Sequence, residues 1–308
     1  MGQSPEHVGE EPVLYSIPGT RLATLQRRVV RQIVATKVPN RRISAAQRDR
    51  LVARVVKEQV RLLEERDERH RAIRDRILCV LEDGSLRVAF QPIVDLVDGS
   101  VVGVEALARF RTEPVRSPAQ WFAEARTVGL GRELELAALR AAVAQLRRLP
   151  SQMFLSINVS PKLLTRPTLW TLLGEVSPER LVLEITEHSR IAEYGRVREV
   201  VDSLRTLGAR LAIDDVGAGF ASLKHVLVLE PDLMKLDISL TRDLHLDPAR
   251  QLLVASIASF ASEMSAAVVA EGVETPEELK TLGGLGVRYG QGYLFGRPAS
   301  LARATRSA

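Results

Sequence analysis

A single cysteine, Cys79, in 308 residues leaves neither an internal disulfide nor a cysteine-rich zinc site open to this chain, and such thiol poverty fits a reducing compartment. Aromatic residues amount to 4%, too few for the stacking platforms that hold single-stranded nucleic acids. No run approaches the ~18–20 consecutive apolar residues of a membrane span. The opening stretch, with Glu6, Glu10 and Glu11 ahead of Pro12, lacks the basic-then-apolar layout of a signal peptide. A cytoplasmic protein without a transmembrane segment is therefore expected. What is present is ordinary for a globular chain: 45% hydrophobic and 26% charged residues, enough for one large domain or two modest ones.

The net charge of +5 is unevenly spread. Through Arg76 there are 17 Lys/Arg against 10 Asp/Glu, leaving 26 against 28 in the remainder, or +7 followed by −2. A uniformly basic body for nucleic acid is thus disfavoured. Residues 1–20 carry Gly2, Pro5, Gly9, Pro12, Pro18 and Gly19 and read as an irregular lead-in. A basic helical extension follows over 21–71, its first helix running from Arg21 to Lys37 and its second opening at Ser44 with Gln47 as capping-box partner. The second pattern continues to about Leu81. Its repeating positions Val52, Val56, Gln59, Leu63, Arg66, His70, Ile73, Ile77 and Val80 suit either a solvated helix docking one stripe on a neighbouring domain or a dimer seam. The bias between Arg21 and Arg54, ten Lys/Arg and one Asp, reads as a solvated basic face rather than a nucleic-acid reader.

From about residue 72 to 308 the texture becomes a regular alternation. Strands are expected at Val88–Ile93, Val101–Leu107, Met153–Asn158, Leu181–Ile185, Arg210–Ile213, Leu233–Leu236, Ala267–Ala270 and Val287–Gly290. Helices are expected at Arg132–Arg148, Gly195–Leu207, Pro248–Ser262 and Pro276–Leu282. Such strand-then-helix units predict a parallel α/β sheet, either doubly wound or closed as a (β/α)8 barrel.

Polar residues recur at the expected strand ends: Glu105, Asn158, Glu184, Asp214 with Asp215, Lys235, Glu271 and Gln291. One carboxylate at a strand end is usually a cap or a turn residue. Five, with Asn, Lys and Gln, converge on the rim where parallel α/β folds bind ligands, and their mutual repulsion calls for cations. An all-oxygen donor set favours Mg2+ or Mn2+ over zinc. The adjacent pair Asp214-Asp215 suits the bridging of two ions, an arrangement that serves phosphodiester hydrolysis, with Lys235 orienting hydroxide or balancing phosphate charge. Gly217 and Gly219 let the DDVGAG segment turn sharply.

The strings FQPIVD, EALARF, SPAQWFAEARTVGL, SINVSP, LEITE, IDDVGAGFASL, DLMKLD, VVAEGVET and QGYLFGRP, in this order between about Ile73 and Pro298, resemble the EAL domain, a family of cyclic-di-GMP-specific phosphodiesterases of bacterial signalling. The resemblance implies a TIM-like (β/α)8 barrel with one strand reversed, over 72–308 behind the helical extension. It implies hydrolysis of cyclic di-GMP to linear pGpG with two Mg2+ or Mn2+ ions, inhibition by Ca2+, and a homodimer. By position, Glu105, Asn158, Glu184 and Asp214 correspond to the ligands of one ion, and Asp214 and Asp215 to those of the second, with Glu271 in the network. Lys235 matches the lysine near the attacking water, Glu187 the glutamate bracing the DDVGAG loop, and Gln291 a glutamine of the catalytic pocket. Gln91, Leu107 and Arg109 match positions lining the dinucleotide, Arg109 being suited to a phosphate. Val216, Ala218 and Arg126 depart from the residues common at their places, so a second reading stays open: an EAL-type receptor that binds the dinucleotide and acts through a partner protein. No GGDEF signature is present, and synthesis is not expected.

Overall fold

The computed structural model describes residues 44–174, 176–186, 191, 193–217 and 221–306. The lead-in, the Arg21–Lys37 helix, Glu187 and Ala218 lie outside the described residues. Contacts divide the chain into two units, Met1–Ala72 and Ile73–Ala308. In the first, the described residues are helical from Ala45, and Gln59, Leu63 and Arg66 are exposed. The helix Ala45–Glu82 runs on into the second unit, where Ile77 and Val80 are buried with Leu86, Trp121, Ala125, Leu130 and Leu134. Its terminal apolar stripe therefore belongs to a core, while the polar middle positions are solvated. No helix among the described residues is long and apolar enough to cross a membrane.

The second unit is a closed eight-stranded barrel in sequence order, β1 (Leu86–Asp95), β2 (Val101–Phe110), β3 (Phe154–Asn158), β4 (Leu181–Thr186), β5 (Arg210–Val216), β6 (Leu233–Leu236), β7 (Ala267–Ala270) and β8 (Tyr289–Gly290). β1 is antiparallel to both β2 and β8, and every other neighbouring pair is parallel. The barrel alternative and its reversed strand are thereby established. Helices Gly131–Val143, Tyr194–Thr206, Pro248–Glu263 and Pro276–Gly284 follow the expected patterns. The first is shorter than Arg132–Arg148, since the chain tightens into a 3-10 turn at Leu146–Arg148. The last strand is shorter too: Val287 donates its amide to Leu282 O at the helix end and cannot pair in the sheet.

Side chains alternate along a strand, so residues two apart share a face. Ile93, Phe154, Val182, Ala212, Leu233 and Val269 form one buried cluster of the barrel. Gly103 completes this layer, since a Cβ there would lie 2.6 Å from the Phe154 ring. Two residues further toward the C-terminal rim come Glu105, Ser156, Glu184, Asp214, Lys235 and Glu271, and in the reversed β1 the same step leads back to Gln91. The apolar layer thus fixes a polar one above it.

A close approach of chain to chain holds the rim. Val273 donates to Gln291 O and Leu294 to Val273 O, at 3.1 and 3.0 Å, and a Cβ on Gly292 would fall 2.1 Å from Val273 O. Gly292→Ala is expected to destabilise the protein by about 1–3 kcal/mol through this overlap, read as a lowered Tm. An unchanged Tm would show that the two segments are free to separate.

Candidate active site

The interior polar layer centres on Lys235, which is buried in β6. Its Nζ lies 2.7 Å from Glu271 Oε1, 2.9 Å from Glu184 Oε2, 3.1 Å from Asp214 Oδ1 and 3.4 Å from Glu105 Oε2. Lys235 thus lies among the carboxylates, as its place in the sequence pattern suggested. Glu105 and Glu184 sit differently from the sequence reading: β2 runs five residues past Glu105 to Phe110 and β4 continues to Thr186, so both carboxylates lie inside the barrel rather than at strand ends.

Hydrogen bonds knit the layer. Asn158 Nδ2 donates to Glu105 Oε1 at 3.0 Å, and Gln291 Nε2 donates to Glu105 Oε2 at 2.7 Å and to Gln91 Oε1 at 3.1 Å. Gln91 Nε2 in turn donates to Gly296 O at 3.1 Å, tying β1 to the segment after β8. The Ser156 hydroxyl donates to Glu184 Oε1. Ser156 was missed in the sequence, although FLSIN places it two residues from Asn158 on the face that Phe154 fills; a serine on an inward face was the available signal.

Adjacent strand residues point to opposite faces, yet Asp214, Asp215 and Glu271 bring one carboxylate oxygen each within 4.8 Å of one another. The irregularity in the β5–β6 ladder between Ile213 and Val216 explains this, together with the left-handed backbone of Asp215 at φ 60°. A bulge re-aims a side chain, and a non-glycine residue in that region carries about 1–3 kcal/mol of strain that the surrounding structure must hold. Leu107 and Arg109, half-buried, follow Glu105 on the same face of β2, and Arg109 Nη1 donates to Ala108 O.

The charges do not balance. Four carboxylates surround one ammonium. Burial pulls the Lys235 ammonium down, but Glu105, Glu184, Glu271 and Asp214 together hold it well above the usual lysine range. Burial pushes the Glu184 carboxyl well up, with Glu105 adding to it against the pull of Lys235. Burial likewise pushes Glu271 up to about 7, Lys235 opposing. Asp214 Oδ1 is buried and accepts no hydrogen bond, its contact with Lys235 being an ion pair outside hydrogen-bond geometry. An excess of buried anionic oxygen, one atom of it unsatisfied, in a set without sulfur or imidazole fits hard divalent cations. Asp214, Asp215 and Glu271 offer carboxylate oxygens close enough to one another to hold such an ion.

A profile of the EAL domain family matches residues 70–298. The chain belongs to the EAL domain family. Among curated relatives, a signaling protein of Caulobacter vibrioides is 35% identical over 233 residues, covering 73% of this chain and 29% of its own length. A cyclic di-GMP phosphodiesterase of Pseudomonas aeruginosa is 33% identical over 228 residues, covering 70% and 39%. The chain thus spans about a third of the length of these relatives. Of solved structures, Klebsiella pneumoniae BlrP1 with calcium and cyclic di-GMP is 35% identical with a TM-score of 0.62, covering 70% of this chain and 56% of its own. An EAL domain protein from Listeria monocytogenes is 27% identical with a TM-score of 0.66, covering 73% and 92%.

Proposed function

We propose that this EAL barrel hydrolyses cyclic di-GMP at one phosphodiester bond, giving linear pGpG, with two Mg2+ or Mn2+ ions held by its interior carboxylates. The observation that carries the reading is the set of four carboxylates around the buried Lys235, three of them buried and Glu271 half-buried, whose excess negative charge calls for cations; in support, one relative is named a cyclic di-GMP phosphodiesterase and one similar structure is a complex with calcium and cyclic di-GMP. Glu105, Asn158, Glu184 and Asp214 would hold one ion, and Asp214 and Asp215, with Glu271, the other. Bound there, such ions supply Lewis acidity toward phosphate oxygens and lower the pKa of water.

The remaining work falls to the protein's own groups. Water adds to phosphorus as the P–O3′ bond opposite it breaks, and the product carries a 5′-phosphate. Lys235 is locked in its protonated form by its neighbours and so serves as a donor and positive charge toward the incoming oxygen, not as a base. Arg109 pairs a phosphate, Leu107 offers an apolar contact, and Gln91 and Gln291, already hydrogen-bonded to each other, shape the wall beside Glu105.

Purified protein incubated with cyclic di-GMP and Mn2+ is expected to yield pGpG on chromatography. Ca2+ in place of Mn2+ is expected to leave the substrate uncut, because a larger ion of looser geometry misplaces the water. Tight binding of intact dinucleotide with Mn2+ present, and no pGpG, would favour the receptor reading instead.

A further inference from the structure

Asn158 stands apart in the site: it is the one neutral candidate ligand, and it lies exposed at the very end of β3. Sheet pairing reaches it through Glu184, and Val159 donates its amide to Glu184 O at 2.9 Å. Beyond that the chain leaves the barrel. What meets it there is Glu135, from the helix Gly131–Val143. Glu135 Oε1 accepts the Ser160 backbone N–H at 2.5 Å, and Oε2 accepts the Ser160 hydroxyl at 2.9 Å. The Ser160 oxygen in turn accepts the Leu163 amide at 3.3 Å as the cap of the short helix Pro161–Leu164. One carboxylate therefore fixes both hydrogen-bond donors of the residue two places after Asn158.

We propose that Glu135 is a positioning residue that sets Asn158 for cation binding, a role that rests on the two-cation reading above. Glu135 touches no group of the site itself. It acts by holding the turn that aims the Asn158 amide, whose Nδ2 is committed to Glu105 and whose oxygen remains the ligand atom. Groups behind metal ligands commonly govern affinity by about 10- to 100-fold. The neighbouring residue adds a second consequence. Leu134 is fully buried in the cluster of Ile77, Val80 and Trp121, so consecutive residues of one helix face the docked segment Ile73–Glu82 and the Asn158 turn. Arg76 and Arg74 reinforce that docking through Glu124 at 2.8 Å and Val128 O at 3.3 Å.

The test compares Glu135→Ala and Glu135→Gln with the wild-type chain, titrating Mn2+ and following the free-ion EPR signal. Gln keeps both contacts, its carbonyl accepting the Ser160 amide and its N–H donating to the hydroxyl oxygen. Ala keeps neither. Weakening of Mn2+ binding by about 10-fold in the Ala variant, with most of it recovered in the Gln variant, is the expected result. Turnover by the Ala variant should likewise recover at high Mn2+, a split that a general loss of packing would not produce. Should the Ala variant fail to fold, Ser160→Ala keeps the amide contact to Glu135, removes the hydroxyl contact together with the cap on Leu163, and is expected to weaken binding in the same direction. Ala and wild-type isotherms that superimpose, or equal weakening in Ala and Gln, would overturn the role of Glu135 alone. A wild-type chain that binds no Mn2+ would overturn both this role and the two-cation reading.

Discussion

Lys235→Met is expected to lower turnover of cyclic di-GMP by about 10²–10³-fold, the scale of losing one preorganised charge in a water-excluded site. The ammonium is buried and pairs with four carboxylates, while Met keeps an unbranched apolar stem one atom shorter and removes the charge and the N–H donors. Without metal, the variant leaves those carboxylates uncompensated, and breaking a buried pair from one side costs about 3–5 kcal/mol. Mn2+ should therefore restore much of the lost Tm while leaving the rate low. Near-normal turnover in the variant would refute the role given to Lys235. Equal Tm losses with and without Mn2+ would refute the charge argument behind it.

Chelation is expected to abolish turnover and to make stability depend on pH with a definite sign. In the metal-free fold, burial raises the Glu184 and Glu271 carboxyls, the latter from 4.5 to about 7. A raised carboxyl binds more protons folded than unfolded, so its contribution is complete below about 4.5 and is lost as pH climbs toward and through 7. The Tm of protein in EDTA should accordingly fall between pH 5 and 8. Mn2+ competes with those protons and binds better as they leave, so its stabilising effect should grow over the same range. At 100 times its dissociation constant, one bound ion contributes about 2.7 kcal/mol. Thermal scans across pH with EDTA or Mn2+ check this; parallel curves would contradict it.

Much of the site was legible because the barrel obeys a simple rule. Strands β6 and β7 matched their expected bounds, and stepping two residues from Leu233 to Lys235, or from Val269 to Glu271, moves from apolar to polar within one inward face. What the pattern hid has physical causes. The reversal of β1 leaves no mark on periodicity, since alternation reads the same in both directions; only the resemblance implied it. The helix Ala221–Leu229 contains the run His225-Val226-Leu227-Val228-Leu229, whose β-branched and apolar residues resemble a strand. Asp215 should face away from Asp214 on a regular strand, and only a ladder irregularity with a left-handed residue turns it back. Glu135 lies 23 residues before Asn158 in the chain, so its tie to that turn is a product of tertiary folding.

Crystals soaked in Mn2+ and measured at its absorption edge test directly whether cations balance the barrel's carboxylates. Two anomalous peaks are predicted inside the barrel mouth, one against Glu105, Asn158, Glu184 and Asp214, the other against Asp214 and Asp215 near Glu271. A map without peaks there, with Lys235 still bridging the four carboxylates at saturating Mn2+, would contradict a cation-balanced site.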